Sequence, residues 1–281
     1  MAVTAERAAC ALPSRFTHQT HDGPRTVLHA PGALAFRTPY RVNTDGAPNS
    51  YHPDDPGGSQ GLAINTICNG ANAITAAGAR VSYDQCSRLI SLFRDARAAG
   101  WPTSGARMQF YGVASTDGGA RPCVQQEGPY SGYFVSSTSV TNPSFGICDQ
   151  RRYLDALSVP FIIVPGHANF RSRGMGLRDL AVVYNPANGR MVFAVVGDQG
   201  PAAGLGEGSV ALNRTLSGRT DWPRTRRDTY AFGLRDAVTV VFTDDSLEPP
   251  YTNDRIAAAG QAALDRFGGS ERLAACARAL R

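Results

Sequence analysis

The sequence predicts a mainly β protein of the α+β class, folded as a compact β-barrel with a few peripheral helices. Short segments rich in Val, Ile, Phe and Tyr follow one another from Met108 onward, separated by Gly, Pro, Asn and Asp. Only two stretches have helical spacing, one before these segments and one at the C-terminal end. This order favours a barrel over alternating βαβ units. The predicted strands are residues 108–114, 132–137, 159–164, 180–184, 191–196, 207–212 and 237–243.

The two predicted helices differ in character. In residues 82–99, Cys86, Leu89 and Phe93 recur on one face, and Gly100 is a stop signal. Residues 253–280 are rich in alanine and are interrupted near Gly268. Residues 1–30 are interpreted as an irregular N-terminal arm, and residues 37–56 as a polar loop. The expected organisation is therefore an arm over 1–30 and a single domain over 31–281.

Composition excludes several classes of function. The chain has 281 residues and a formal charge of +5, and all its basic side chains except histidine are arginine. The charge is spread along the chain apart from a cluster at residues 214–227, whereas a nucleic-acid binder concentrates it in a patch with aromatic residues. No apolar stretch reaches the roughly 18 residues that a membrane span needs. We therefore expect that the chain binds neither nucleic acid nor membrane, and we also expect a monomer, although the sequence does not determine the oligomeric state.

The cysteine pattern favours disulfides. An even number without any C-x-x-C pair disfavours zinc and redox motifs and is typical of an oxidising compartment, although unpaired thiols are the alternative. We expect a secreted or periplasmic protein. Residues 1–15 lack an apolar core of signal-peptide length, so export would depend on a removed signal or another route. The sequence does not determine the connectivity; the expected pairs are Cys123–Cys148, Cys68–Cys86 and Cys10–Cys276.

Two carboxylates flank one glycine-rich loop. Asp198 follows an apolar strand that is expected to end at Gly197, and Glu207 begins the next predicted strand, with Ser209 and Ala211 on its face. Two acids on adjacent rigid elements suit glycoside hydrolysis, in which one protonates the leaving oxygen and the other activates water or attacks carbon. The alternative is that Asp198 caps a turn and Glu207 is a solvated charge.

Several blocks resemble bacterial members of glycoside hydrolase family 75, the chitosanases. They are TDGAPNSYHPDD (44–55), YFVSST (133–138), YLDALSVP (153–160) and the Gly-Asp and Gly-Glu-Gly-Ser motifs that contain Asp198 and Glu207. The resemblance implies endo-hydrolysis of β-1,4 glucosamine linkages in chitosan by these two acids, with inversion and without a cofactor or metal. It leaves open which residue is the acid and which the base. Residues 31–281 would then be the catalytic domain.

One departure affects the substrate. The run Gln199-Gly200-Pro201 stands where fungal members have a Thr-Asn-type sequence. Together with Asp198 it is similar to the Asp-x-Gly-Pro loop of double-psi β-barrels, a fold with several glycan-active members. This likeness supports a barrel that resembles a double-psi barrel and loosens the assignment to chitosan.

The loop at residues 45–55 is the candidate substrate-binding segment. A cationic glucosamine polymer needs carboxylates for its ammonium groups and an aromatic ring for a sugar face. The loop offers both, although a turn that binds its own backbone is the alternative. His52 and His167 match no metal motif, so no metal is expected. The candidate binding residues are Asp45, Tyr51, His52, Asp54 and Asp55.

Two alternatives remain beside the chitosanase hypothesis. The chain could cut the glycan of peptidoglycan, for example as a secreted antibacterial toxin, or could be a glycan-binding barrel without turnover. A chitosan site should present additional carboxylates, for which Asp155 and Asp179 are further candidates, and the arginine cluster should face away from it. The expected partner in each case is a polysaccharide.

Overall fold

The computed structural model describes residues 8–281, which form two compact units. The barrel unit comprises the described residues up to Asn43, together with Leu157–Asp221 and Phe232–Arg281, and the second unit comprises Thr44–Ala156 and Trp222–Ala231. The organisation as an arm plus a single catalytic domain over residues 31–281 stays a prediction.

Six strands close the barrel. The strands of the barrel unit are β1 (Ser14–Thr20), β2 (Gly23–Ala30), β3 (Ala33–Asn43), β9 (Phe161–Pro165), β10 (Asp179–Asn185), β11 (Arg190–Gly200), β12 (Glu207–Ser209) and β13 (Leu234–Ser246). They pair in the order β1-β2-β3-β12-β9-β11-β10-β13, and β13 pairs back with β3 to complete the ring. The predicted mainly β barrel with peripheral helices is therefore confirmed.

Alternating side chains of these strands fill the barrel. Leu34, Phe36 and Tyr40 of β3 lie in one buried cluster with Ile162 and Val164 of β9. Because side chains alternate along a strand, the residues between them point to the outer face. The hydroxyl of Tyr40 is paired with that of Thr239 at 2.6 Å, which satisfies both groups inside the core.

The interpretation of residues 1–30 as irregular is wrong for residues 14–30. β1 and β2 form an antiparallel hairpin in register from Ser14↔His29 to Thr20↔Gly23. The predicted polar loop over 37–56 is also wrong in its first part, because β3 continues to Asn43. Both segments carry polar side chains at many exposed positions, so their apolar content is too low to be recognised as strands.

The strand around Asp198 is longer than predicted, and the one at Glu207 is shorter. β11 continues through Asp198 to Gly200, where the sequence indicated an end at Gly197. β12 has three residues, and helix α3 (Val210–Ser217) follows in place of the predicted strand over 207–212. The helix begins there because the hydroxyl of Ser209 accepts a hydrogen bond from the Leu212 N–H at 3.2 Å.

Two helices end the barrel unit, as predicted. They are α5 (Asn253–Phe267) and α6 (Gly269–Ala279), separated by Gly268 at φ 114°. Helix α5 packs so closely on β11 that a Cβ at Gly260 would lie 2.6 Å from the Phe193 ring. Only glycine allows that approach. A short helix, α2 (Ala168–Arg171), follows β9.

The second unit has its own core. Its elements are β4 (Ala71–Ile74), β5 (Arg80–Val81), α1 (Cys86–Ala98), β6 (Arg107–Phe110), β7 (Ser115–Thr116), β8 (Arg121–Pro122) and α4 (Arg226–Tyr230). Phe93 and Phe134 pack edge to face at a centroid distance of 6.0 Å. The predicted helix over 82–99 corresponds to α1 and the turn before it. The predicted strand over 132–137 forms only isolated bridges, at Phe134 and Ser136.

All three expected disulfides are present. Cys10–Cys276 joins the N-terminal region to α6, and Cys68–Cys86 and Cys123–Cys148 lie in the second unit. Each closes a loop of the chain and stabilises the fold mainly by restricting the unfolded state. In residues 8–281, no helix combines the length and the apolarity that crossing a bilayer requires.

Candidate active site

The two predicted acids flank one residue of a central barrel strand. Asp198 on β11 pairs with Ile163 of β9 from one side, and Glu207 on β12 pairs with Ile163 from the other. Side chains of residues paired directly across a sheet share a face. Since the neighbours of Ile163 on β9 belong to the barrel core, Asp198 and Glu207 lie on the outer face. Two strand spacings separate their Cα atoms by about 10 Å.

Glu207 lies in a partly buried environment with basic neighbours. On β3, Arg41 pairs with Glu207 and so extends the same row of residues. Burial raises the pKa of the Glu207 carboxyl, and the charge of Asp198 adds a smaller increase. Arg41, a hydrogen bond from Asn43 and the nearby His21 oppose this rise. On balance the pKa of the Glu207 carboxyl lies above that of an ordinary glutamate.

Asp198 is almost fully buried, with 9% of the residue exposed. Its Oδ1 accepts a hydrogen bond from the Gln199 N–H at 2.9 Å, which fixes the orientation of the group. The loop that follows reaches β1, where the carbonyl of Ala202 bonds to His18. Desolvation by burial lowers the pKa of His18, and His167 lowers it further. A neutral histidine thus lies beside the loop that joins the two acids.

Two residues of the predicted binding loop are buried and hydrogen-bonded within the second unit, which does not favour their predicted contact with substrate. Tyr51 is 1% exposed, and its hydroxyl bonds to Asp45 and accepts from Asn65, so its ring packs in the core of the second unit and offers no face to a sugar. Asp55 is also 1% exposed. Its carboxylate accepts hydrogen bonds from four backbone N–H groups, those of Ser59, Gln60, Leu62 and Ala63.

The other three residues of that loop are closer to solvent. Asp45 is partly buried and holds the Tyr51 hydroxyl. His52 accepts a hydrogen bond from the Asp54 N–H through Nδ1 at 3.1 Å and packs edge to face on Tyr133. Asp54 is exposed and paired with Arg97 at 2.7 Å, which lowers the pKa of its carboxyl. A role for these three in substrate binding stays a prediction.

The remaining candidates are two aspartates and the arginine cluster at residues 214–227. Asp179 is 6% exposed at the start of β10, and its Oδ2 accepts a hydrogen bond from the Gly176 N–H. Asp155 is partly buried in the second unit. In the arginine cluster, Arg214 donates to the carbonyls of Thr220 and Asp221, and Arg219 pairs with the Asp221 carboxylate. These two arginines are engaged by their own loop.

The structure places His167 at a helix start and adds three neighbours of Glu207 that the sequence did not indicate. His167 caps helix α2 by accepting from the Asn169 N–H at 3.1 Å, and no group of three or more His, Cys, Asp or Glu residues within 8–281 could hold a metal. The neighbours of Glu207 that sequence reasoning missed are His21, Arg41 and Asn43. They come from the β1–β2 turn and from β3, and only the sheet order brings them to Glu207.

A family model decides the affiliation of the chain. The model, described as fungal chitosanase of glycosyl hydrolase group 75, matches residues 115–269, more than half of the chain. The chain belongs to glycoside hydrolase family 75. The protein is thus an enzyme, a chitosanase-like glycosidase with a polysaccharide substrate.

The extent of the family 75 match refines the earlier expectation. It contains both Asp198 and Glu207 but does not extend to the block at 44–55. The model describes fungal enzymes and therefore does not support the expected bacterial grouping. No curated protein matches the sequence.

Proposed function

We propose that this family 75 enzyme hydrolyses internal β-1,4 linkages between the glucosamine units of chitosan, with Glu207 as general acid and Asp198 as general base. The observation that carries the proposal is the shared pairing of both acids with Ile163, which puts their side chains on one face of the barrel. A glycosidic bond lying across that row would have one carboxyl group on each side.

The raised pKa of Glu207 supports its role as the acid. A general acid must be protonated when the substrate binds, and burial is the ordinary means by which enzymes keep a carboxyl protonated at mild pH. Arg41 and Asn43 oppose the rise, so the proton can still leave toward the glycosidic oxygen. Asp198, oriented by the Gln199 N–H, would activate water on the opposite side.

The separation of the acids supports inversion. Inverting glycosidases place their carboxyl groups about 6.5–9.5 Å apart to leave room for water, whereas retaining enzymes place them about 5 Å apart. Acids on the two strands that flank β9 start from a Cα separation of about 10 Å. The spacing of the two acids therefore favours the inverting class, which has the wider separation of carboxyl groups.

Release of reducing ends from soluble chitosan tests the proposal. Glu207→Gln and Asp198→Asn should each lower kcat by at least about 10²-fold, since each removes a positioned acid or base. Glu271→Gln removes an exposed carboxylate of α6 and should leave kcat unchanged. Near-normal turnover in either active-site variant, with circular dichroism showing a native fold, would refute the assignment.

A chromogenic glucosamine oligomer with an activated leaving group separates the two roles. Such a leaving group departs without protonation, so Glu207→Gln should regain activity relative to chitosan while Asp198→Asn should not. The opposite pattern would exchange acid and base. Proton NMR of the first product should show the inverted anomer, and the retained anomer would contradict the inference from the strand spacing.

One observation favours a second substrate. Arg41 is exposed beside Glu207, and a guanidinium suits the carboxylate of an acidic sugar such as that in peptidoglycan. Arg41 is, however, paired with Asp22 at 2.8 Å, which offsets its charge and presents a carboxylate for a glucosamine ammonium group. Activity on peptidoglycan and none on chitosan would reverse the preference. Binding of chitosan without turnover would support the glycan-binding alternative.

The three disulfides fit an extracellular or periplasmic location, which we also propose. Thiol labelling of the protein recovered from culture medium should find no free cysteine. Recovery only from the cell interior, with reduced thiols, would contradict this location.

A further inference from the structure

We propose that the barrel unit has an anion site, separate from Asp198 and Glu207, that takes a phosphate or sulfate group carried on a sugar. The site is a cavity of about 400 Å³ at the point where the β2–β3 ladder ends and the β3–β13 register shifts. Its lining residues are Arg25, Arg37, Thr38, Pro39, Arg235, Asp236, Leu280 and Arg281.

Interruption of two strand ladders produces the cavity. The β2–β3 ladder ends at Val27↔Phe36, so Arg25 and Thr38 lie just beyond it; Arg25 still pairs with His18 of β1, and Thr38 with Ala237 of β13. On the other side of β3, the β3–β13 register shifts between Leu234 and Ala237, opposite Pro39. Pro39 has no N–H to donate to a ladder. Strands that separate in this way leave space between them.

The charge around the cavity is unbalanced. Four arginines line it and a single aspartate, Asp236, opposes them. Asp236 is already engaged by Arg37, whose Nε donates to Oδ1 at 2.8 Å. Within residues 8–281, neither Arg25 nor Arg235 has a carboxylate within ion-pair distance. Arginines that converge without anionic partners repel one another, and an oxyanion would relieve that repulsion.

Two polar atoms at the cavity have no hydrogen-bond partner in the described part of the chain. They are Nε of Arg25 and Oγ1 of Thr38, both buried. Thr38 is only 2% exposed. A buried donor without an acceptor costs free energy, so such a donor calls for a partner such as water, an ion or a ligand. The Nε of Arg25 can only donate, so the partner that it lacks is an acceptor, which is what a phosphate or sulfate oxygen supplies.

The volume indicates more than a bare ion. Cavities that bind small molecules measure about 300–1,000 Å³. The apolar side chains of Pro39 and Leu280 also line the cavity and suit the carbon skeleton of a sugar. The shared chemistry is a tetrahedral oxyanion, and a free phosphate would occupy only part of the space.

Isothermal titration calorimetry at constant ionic strength tests the proposal with two probes, glucose 6-phosphate and inorganic phosphate. Glucose 6-phosphate should bind saturably at one site. Arg25→Gln and Arg235→Gln should each weaken binding at least about tenfold, the cost of a lost charge-assisted hydrogen bond. Arg235 is exposed, so its variant should keep the fold even if Arg25→Gln loosens the β1–β2 hairpin.

Arg88→Gln, on the exposed face of α1, is the matched loss of one charge and should leave the affinity unchanged. Equal affinity for inorganic phosphate would keep the oxyanion site and identify a free ion as its occupant. Absence of saturable binding, or equal weakening by Arg88→Gln and Arg235→Gln, would show general charge screening and overturn the proposal. The readout is binding, so it is independent of the proposed hydrolytic activity.

Discussion

Replacing Asp179 by Asn should stabilise the barrel unit at neutral pH. Asp179 is 6% exposed at the start of β10, and its Oδ2 accepts a hydrogen bond from the Gly176 N–H at 2.7 Å. Burial raises the pKa of its carboxyl to about 7, and the charges of Asp244 and Asp245 add smaller increases. An asparagine resembles the protonated acid in size and can still accept from Gly176.

The expected gain follows from the pKa of Asp179. A rise from 3.8 to about 7 corresponds to at most about 4 kcal/mol between pH 4 and pH 7, at about 1.4 kcal/mol per pH unit. The fold favours the protonated form, so this contribution is complete below about pH 4 and is lost as the pH rises through 7. The variant cannot ionise, and its advantage should therefore grow between pH 4 and 7 and level off above.

Urea denaturation from pH 4 to 8.5, followed by circular dichroism, measures this difference. Tryptophan fluorescence is unsuitable because both tryptophans, Trp101 and Trp222, lie in the second unit. Asp244→Asn is the matched control and should have a much smaller effect, since its charge is secondary to burial. Parallel pH profiles for Asp179→Asn and the wild type, or a less stable variant at pH 8, would refute the reasoning.

Three further predictions concern the site, the disulfides and the second unit. Arg41→Gln removes the largest influence that lowers the pKa of Glu207, so the alkaline limb of the kcat/KM profile should move to higher pH; a shift to lower pH would contradict this. Replacing Cys10 and Cys276 by serine should reduce the free energy of unfolding, measured by calorimetry, by about 2–5 kcal/mol. An unchanged free energy of unfolding would mean that this disulfide hardly restricts the unfolded chain. Asp55→Asn should destabilise the second unit by about 1–3 kcal/mol, because the two oxygens of Asp55 accept from four backbone N–H groups and asparagine keeps only one of these oxygens. Tryptophan fluorescence follows the unfolding of this unit, and an unchanged midpoint would count against the prediction.

Sequence patterns predicted those barrel strands that are buried on both faces. β9, β10 and β13 contain runs of mostly apolar residues rich in Val, Ile and Phe, which are recognisable without a partner. β1 and β2 were missed because most of their residues are polar and partly exposed. Their strand conformation depends on pairing with each other and with β3, which no local pattern contains.

The binding loop illustrates a different limit. Asp55 and Tyr51 have the residue types that recognise a charged sugar, and the same types also hold a loop together. Burial distinguishes the two uses, and burial depends on contacts remote in sequence. Tyr51 packs against Gly70 and Gly112, whose missing side chains make room for its ring. Arg41 was missed for the converse reason, since its importance comes only from its pairing with Glu207.

The orientation of Asp198 depends on an irregularity that alternation alone does not predict. Val196 pairs with Ile162, and both belong to the barrel core. Two residues further along a regular strand, Asp198 would face the core as well. The register shifts between Val196 and Asp198, so Gly197 is an extra residue and Asp198 pairs with Ile163. A bulge of this kind re-aims the following side chain, and it places the side chain of Asp198 on the outer face of the barrel, the same face as Glu207.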